Sequence, residues 1–502
     1  MKKIRTKLEV ILMALLLLCV IIPSFQSVTR TITSTGDNYE TFIRNSNGNS
    51  WTATGANIQA ALNDVGNDTG TVWIPAGIFL IDSPIQPWDN TEIRGSGIYA
   101  TILKTNSGYS DTDSYDTVVK IRWQNTPRNI SISDITLDGN DTYRGVNAAT
   151  LLNGSLQNIR LLNNGADAFS LRINCSNLFI DNIEIHTLST NQGLYLEHLH
   201  DSVVSNILIK NGTGAGNQAI AVNTGDNITF NNIVIDDTQF GMKLVEGCSH
   251  VTLDNIVIQN VRGDGFKIQS SDYIEVNNLL VDGARGESGS GLEIDDVEHC
   301  TINNFVVKNT VAYGINLDSA SGTNAFVSLE NGIVQDAGTY GFYIDDANNI
   351  SFTDVDIINP GAVAENNRCE NSKYLSFSSC KFTDGTYGML LQGCEFFTAI
   401  GCDFAYNSID GIETGGGTAN SYIKFVGCNF IGNVKGMDIE ADNNITISSC
   451  LFKLNSGDGI ECNAADSVII RGCIMWGDPF DDNIVGSNKL VDAADNIGMS
   501  TI

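Results

Sequence analysis

The chain has 502 residues, 58 of them acidic and 28 basic, for a formal net charge of −30. A surface this negative repels nucleic acid and anionic lipid, and no basic stripe overrides it, so no nucleic acid is expected as a partner. Glycine is abundant at 49, proline scarce at 7 and aliphatics plentiful, a composition for many short strands joined by tight turns.

The chain opens with MKKIRTK and the apolar run Val10–Ile22, the form of an export signal. Thirteen apolar residues fall short of the roughly 17–25 of a bilayer span. Residues 1–23 are therefore expected to be a signal peptide or, because no A-x-A cleavage site follows, an uncleaved signal anchor. Either places the protein outside the cytoplasmic membrane, secreted or at the cell surface, and touching the membrane only through that segment if it is retained. Residues 24–50 read as a polar lead-in. Residues 51–125 read as an N-terminal cap with the first strands. In ANIQAALNDVGND the apolar Ile58, Ala61, Leu62 and Val65 fall at i, i+3, i+4 and i+7, which predicts a helix. A solenoid end exposes a raw apolar cross-section, so a capping helix belongs there. Strands follow in GTVWIPAGIFLI and TEIRGSGIYATILK, separated by Gly and Pro turns.

Residues 126–477 carry a repeat. Asn-aliphatic-x-aliphatic returns with its first inward position at Ile135, Ile159, Ile183, Ile207, Ile233, Ile256, Leu279 and Phe305. It continues, with Gly332 as the poor match, through Val355, Cys380, Cys402, Cys428, Cys450 and Cys473. The period is close to 24, which means a stacked repeat architecture. Within a unit the pattern is period two, so the segments are strands. The leucine-rich pattern L-x-x-L-x-L-x-x-N is absent. The predicted fold is all-β: a right-handed single-stranded parallel β-helix, a solenoid of about 15 coils, with an N-terminal capping helix. Residues 478–502 lose the repeat and are expected to form a C-terminal cap or tail.

The helix, GTVWIPAGIFLI and TEIRGSGIYATILK together resemble the opening of pectate-lyase-superfamily and tailspike-like right-handed β-helix proteins. The likeness covers about residues 55–105, and later coils match only as generic repeats. It implies the fold and an involvement with polysaccharide, but not a reaction, since the superfamily holds lyases, hydrolases, epimerases and non-catalytic binders. The polygalacturonase set N-T-D, D-D, G-H-G, R-I-K is not reproduced beyond the pairs Asp295/Asp296 and Asp345/Asp346. The epimerase motif Y-G-x-D-P-H and the lyase motif R-x-P-x-x-R are also missing.

Each repeat holds a second, glycine-led strand, as in GLYLEH, GFKIQS, GLEIDD and GFYIDD. Alternation turns Leu194/Leu196, Phe266/Ile268 and Leu292/Ile294 inward and the residues between and after them outward. Stacking then makes two outward columns. One holds Ser170, Tyr195, Ala221, Lys243, Lys267, Glu293, Asn316, Tyr343 and Leu390. The other holds Arg172, Glu197, Asn223, Val245, Gln269, Asp295, Asp318, Asp345 and Gln392.

Aromatics offer a sugar ring a flat apolar platform and carboxylates bond its hydroxyls, so Tyr195, Glu197, His198, Asn316 and Tyr343 are candidate substrate-binding residues. Neighbouring coils lie about 5 Å apart, which brings Asp295 and Asp318 near the separation of a retaining glycosidase. Asp295 with Asp345, or Glu293 with Asp295 at roughly 6–7 Å, approach the inverting arrangement. For uronate elimination, stacked Lys243 and Lys267 would each lower the other's pKa toward a usable base. The candidate catalytic set is thus Lys243, Lys267, Glu293, Asp295, Asp318 and Asp345. Either no cofactor is needed or Asp295, Asp296 and Asp318 hold a Ca²⁺ that bridges anionic sugars.

Five cysteines share one repeat position, which predicts a ladder of buried thiols rather than disulfides, because stacked strands separate equivalent Cβ atoms by about 4.8 Å. Nine N-x-S/T sequons occur, several created by the repeat itself, where asparagine serves a turn or an amide ladder. The expected function is an extracellular polysaccharide-binding protein that degrades an acidic or neutral glycan, by β-elimination or by hydrolysis. The alternative is a non-catalytic surface, adhesion or envelope protein.

Overall fold

Asparagine turns the corners of this chain. The computed structural model describes residues 42–476 except 112–115, 122–126, 189–191, 213–217, 287–288, 320–324, 362–366, 416, 441 and 464, together with the short strand Leu490–Val491. The export segment 1–23, the lead-in up to residue 41 and almost all of 478–502 lie outside the described residues. No helix among the described residues is long and apolar enough to cross a membrane. The chain divides into two units, Met1–Arg262 and Gly263–Ile502.

In the first unit the expected lead-in is structured from residue 42. Phe42–Asn45 and Ser50–Thr52 form an antiparallel hairpin whose first strand also pairs with Gly70–Trp73. What orders the intervening polar turn is Asp64. Its carboxylate accepts from the side chains of Asn45 and Asn49 at 2.8 Å and of Asn47 at 3.3 Å, bonds that hold it below the usual carboxylate range. Asp64 belongs to helix α1 (Gly55–Val65), which buries Ile58, Ala61, Leu62 and Val65 as their spacing predicts. A Cβ on Gly55 would meet the Leu80 carbonyl oxygen at 2.0 Å, so glycine alone lets the helix start this close to the strand Gly77–Ile81. The parallel ladder begins before residue 126: Gly70–Trp73 pairs with Thr91–Arg94, and Thr91–Arg94 with Ser131–Asp138.

The repeat anchors stack one above another. In the first unit Ile135, Ile159, Ile183, Ile207, Ile233 and Ile256 are successive register partners. In the second, Leu279, Phe305 and Gly332 follow the same rule. All the side-chain-bearing anchors through Cys473 are buried. The residue before each anchor adopts a left-handed backbone, with φ of 51° at Asn158, 52° at Asn182, 57° at Asn232, 58° at Asn255 and 54° at Asn304. Asparagine tolerates this conformation better than other side chains with a Cβ. It also pairs along the stack: Asn158 donates to Asp134 at 3.0 Å, Asn182 to Asn158 at 2.8 Å and Asn232 to Asn206 at 3.1 Å.

Farther along, the left-handed residue becomes Ser379, Gly401, Gly427, Ser449 or Gly472, and the anchor after it becomes cysteine. These thiols are free and buried, and they donate to backbone carbonyls: Cys380 to Phe352 at 3.4 Å, Cys402 to Phe377 at 3.5 Å and Cys428 to Ala399 at 3.4 Å. The cysteine is a small hydrophobe that also satisfies a corner.

Gly332 interrupts the anchor pattern because Phe305 beneath it is oversized. A Cβ at Gly332 would lie 2.1 Å from the Phe305 ring. Gly332→Val should therefore lower the urea midpoint by an amount equivalent to about 1–3 kcal/mol of overpacking. Adding Phe305→Leu should recover part of that loss, and equal midpoints for the single and double variants would show that the two side chains do not compete for space.

Candidate functional site

The glycine-led strands supply the outward columns. In the second unit Phe266, Ile268, Leu292, Ile294, Ile315, Leu317, Phe342 and Ile344 point into the core, so the residues between them face out. One column runs Lys267, Glu293, Asn316, Tyr343, Arg368 and Leu390 in register. The other runs Gln269, Asp295, Asp318, Asp345, Glu370 and Gln392. Lys267, Glu293, Asn316, Tyr343, Asp295, Asp318 and Asp345 are thus brought together on one face, as stacking demands. Asp296 is not in the column. It occupies the next corner at φ 50°, with Oδ1 accepting from the Ser319 hydroxyl at 2.9 Å.

The columns are strongly coupled. Lys267 Nζ donates to Glu293 Oε1 at 2.6 Å, and Gln269 donates to Asp295 Oδ2 at 2.8 Å. Partial burial raises Asp295 above the ordinary carboxylate value, the neighbouring charges of Asp296, Asp318 and Glu293 add to the rise, and Lys267 opposes it. Asp318 is raised by burial and then by Asp345. Three carboxylates stand in register, two of them shifted toward the protonated form by burial and neighbouring charge.

Tyr343 sits at the centre. Its hydroxyl is 3.1 Å from both Asp345 Oδ2 and Glu370 Oε2, and burial followed by those two charges pushes its pKa upward. Its ring lies 5.8 Å from Tyr313 and 5.6 Å from Tyr340, tilted by 42° and 50°. Arg368 pairs with Glu370 at 3.0 Å and donates to Gln392 at 2.6 Å.

Arg368, Glu370, Tyr313 and Tyr340 are absent from the sequence-derived columns. Arg368 and Glu370 were hidden because their strand, Asn367–Glu370, has no leading glycine. Its first inward position, held by Phe342 in the preceding coil, is instead the polar Asn367, buried, accepting from the Phe342 N–H at 3.3 Å and donating to the Gly388 carbonyl at 2.8 Å. The tyrosines precede the leading glycine, a position that period-two reading leaves unassigned.

The first-unit candidates form a separate set. Tyr195, Glu197 and Lys243 lie on the outward columns, and His198 follows at a left-handed φ of 51°. The column here is largely covered: Ser170 and Ala221 are buried, and Val245, expected to face out, is buried as well. The Arg172 guanidinium lies 5.1 Å from the Tyr195 ring centroid while bonding Asp167 at 3.0 Å, so one face of that ring is taken. The inserts after Asn211, Gly283 and Pro360 include residues outside the described set.

The second-unit column continues through Glu413, Asp438 and Glu461. Beside it Asp410 is only 3% exposed, and burial, reinforced by Asp438 and opposed by Lys435, pushes its carboxyl up to about 7. Its Oδ1 accepts from the Lys435 N–H at 3.1 Å. Because the folded value lies above the ordinary 3.8, the folded state holds a proton that the unfolded chain has lost between these values. Stability should fall as pH rises through that window and stay reduced above it. Asp410→Asn keeps the acceptor and removes the charge. The drop in urea midpoint from about pH 4 to pH 8 should be smaller in the variant than in the parent, and identical drops would mean that Asp410 ionises alike in both states.

A family model described as rhamnogalacturonase A/epimerase, pectate lyase-like, matches residues 44–267. A second, right handed beta helix region, matches 213–357 and 322–477. No curated protein matches the chain. Among solved structures, the pre-mature gene product 12 of bacteriophage phi29 is 11% identical, covering 87% of this chain and 70% of its own, with a TM-score of 0.41. A hyperthermoactive exopolygalacturonase from Thermotoga maritima is 13% identical over 60% of this chain and 83% of its own, with a TM-score of 0.37. The A-module of an Azotobacter vinelandii mannuronan C-5 epimerase is 13% identical over 89% and 95%, with a TM-score of 0.23. Since the β-helix match spans more than half of the sequence and the observed strands stack in parallel register, the chain belongs to the right-handed β-helix family.

Proposed function

We propose that the acidic face of the second unit binds a polysaccharide outside the cell and cleaves it by glycoside hydrolysis. The observation that carries this reading is the register stack of Asp295, Asp318 and Asp345, in which burial and mutual repulsion raise Asp295 and Asp318. A glycosidase needs one protonated carboxyl to protonate the leaving oxygen and one ionised carboxylate across the bond. Adjacent coils stand about 4.8 Å apart, close to the roughly 5–5.5 Å of a retaining pair. Asp295 is the more shielded of the two and takes the role of acid; Asp318, exposed, takes that of nucleophile. Tyr343 supplies the apolar platform, and Asn316 and Arg368 flank it for hydroxyl or carboxylate groups of the sugar. The pectate lyase-like match supports a carbohydrate substrate.

Elimination is the weaker reading because the base it requires is engaged: Lys267 would have to give up its 2.6 Å ion pair with Glu293 before accepting a proton. The extracellular placement rests on the basic and apolar N-terminal sequence.

Screening purified protein against neutral and uronic polysaccharides, with and without Ca²⁺, identifies the substrate. On that substrate Asp295→Asn and Asp318→Asn should each cut reducing-end release by at least about 100-fold while retaining binding. Lys267→Ala should retain most of the activity. Full turnover in both aspartate variants, or an unsaturated-uronate absorbance that disappears in Lys267→Ala, would replace hydrolysis with another mechanism.

A further inference from the structure

A corner column of the second unit, separate from the outward columns above, carries aromatic residues in the left-handed region, the exposed Tyr273 at φ 52°, the half-buried His299 at 51° and the exposed Phe326 at 59°. The three rings stack. Tyr273 and His299 are 4.6 Å apart and 4° from parallel, and His299 and Phe326 are 5.2 Å and 8°. The imidazole is therefore held in one plane between two rings, with its ring nitrogens at the edge of the stack.

The residues just before these corners set the charge. Asp272 and Glu298 are direct register partners on adjacent parallel strands, an arrangement in which like charges oppose each other. Among the described residues no lysine or arginine is ion-paired with either. The same column later solves the problem differently: Lys373 is the register partner of Glu395 and pairs with it at 2.8 Å. At Asp272 and Glu298 the nearby nitrogen base is His299, whose Nδ1 lies 3.0 Å from Asp272 Oδ1. That oxygen is also fixed by the Tyr273 N–H at 2.8 Å. One ligand atom from each of Asp272, Glu298 and His299 lies within 4.8 Å of the others.

We propose that Asp272, Glu298 and His299 bind a divalent cation of the zinc type. Two carboxylate oxygens and one imidazole nitrogen suit Zn²⁺ better than Ca²⁺, which prefers oxygen alone, and a three-residue set leaves a position for water. The cation takes the place of the proton shared by His299 Nδ1 and Asp272 Oδ1 and neutralises the opposed carboxylates. It links two successive coils at a solvent-facing corner, so its binding energy adds to the stability of the stack. This site is independent of the glycan-cleaving face and of Asp295, Asp296 and Asp318.

The test uses the full chain, stripped with chelator and titrated calorimetrically with Zn²⁺ near neutral pH. The buried thiols are controlled for by recording the Co²⁺ absorption spectrum. His299→Asn removes the imidazole but keeps a residue that accepts the left-handed corner, as Asn349 and Asn444 do at φ 54° and 59°; Glu298→Gln removes the opposed charge. One Zn²⁺ per chain is expected, with affinity at least about tenfold weaker in each variant, unchanged circular dichroism and a Co²⁺ spectrum lacking thiolate charge-transfer bands. Absence of binding, equal affinity in His299→Asn, or a thiolate band that persists in both variants would overturn the proposal.

Discussion

Everything in this fold rests on one backbone constraint, the left-handed corner that brings each coil back over the one before. A side chain with a Cβ enters that conformation at a cost, and asparagine is the residue that bears it best while offering an amide to the next coil. The bond from Asn182 to Asn158, and from Asn158 to Asp134, converts a local strain into a vertical tie. Where the corner changes to serine or glycine, the tie passes to the adjacent cysteine, whose thiol reaches a carbonyl instead. Seven of the nine sequon asparagines (Asn129, Asn140, Asn153, Asn211, Asn227, Asn349 and Asn444) have positive φ, so the turn accounts for them without a glycan.

Stacking in register has an electrostatic consequence. A residue type repeated at one position becomes a column of like side chains about 4.8 Å apart, favourable for amides, thiols and phenyl rings and unfavourable for carboxylates. The core uses the favourable case: Phe382, Phe404, Phe430 and Phe452 stack at 4.9, 5.1 and 4.8 Å. The outward face of the second unit contains the unfavourable one, with Asp295, Asp318 and Asp345 in succession. In the first unit two basic residues on the columns are paired with acids beside them, Lys120 with Asp111 at 2.8 Å and Arg172 with Asp167 at 3.0 Å. Burial, and then the repulsion of like charges stacked in register, raise Asp295 and Asp318, and that shift is the effect chemistry can use.

The division between what was readable and what was not follows the same logic. Anchor positions from Ile135 to Cys473 were legible because burial repeats every coil and leaves a periodic trace. Lys267, Glu293, Asp295, Asn316, Asp318, Tyr343 and Asp345 were placed on one face by alternation alone. Arg368 and Glu370 escaped because their strand lacks the leading glycine and carries the polar Asn367 where Phe342 stands in the preceding coil. The hairpin at Phe42–Asn45 escaped because its polar turn is organised by Asp64, a long-range partner that no local pattern reveals. The corner aromatics violate the preference that makes corners recognisable, since Tyr273 and Phe326 stand where asparagine would be expected.

Those corner aromatics also bear on which rings can meet a sugar. Carbohydrate packs its C–H surface against the face of a ring. In the corner ladder the inner faces are occupied: Tyr374 and Phe396 lie 4.9 Å apart at 4°, and Phe396 and Tyr422 4.9 Å apart at 11°, so Phe396 is covered on both sides. Such a ladder shows solvent mainly edges, and the stacking repays the left-handed backbone beneath it. Tyr343 is different. It is tilted by 42° to Tyr313 and 50° to Tyr340, so neither partner lies parallel over its face, and its hydroxyl is tied to the two carboxylates that extend the acidic column. A ring fixed at its polar end, beside raised carboxyl groups and without a parallel stacking partner, keeps a face for the sugar that the proposed hydrolysis requires; Phe396, covered on both sides, does not.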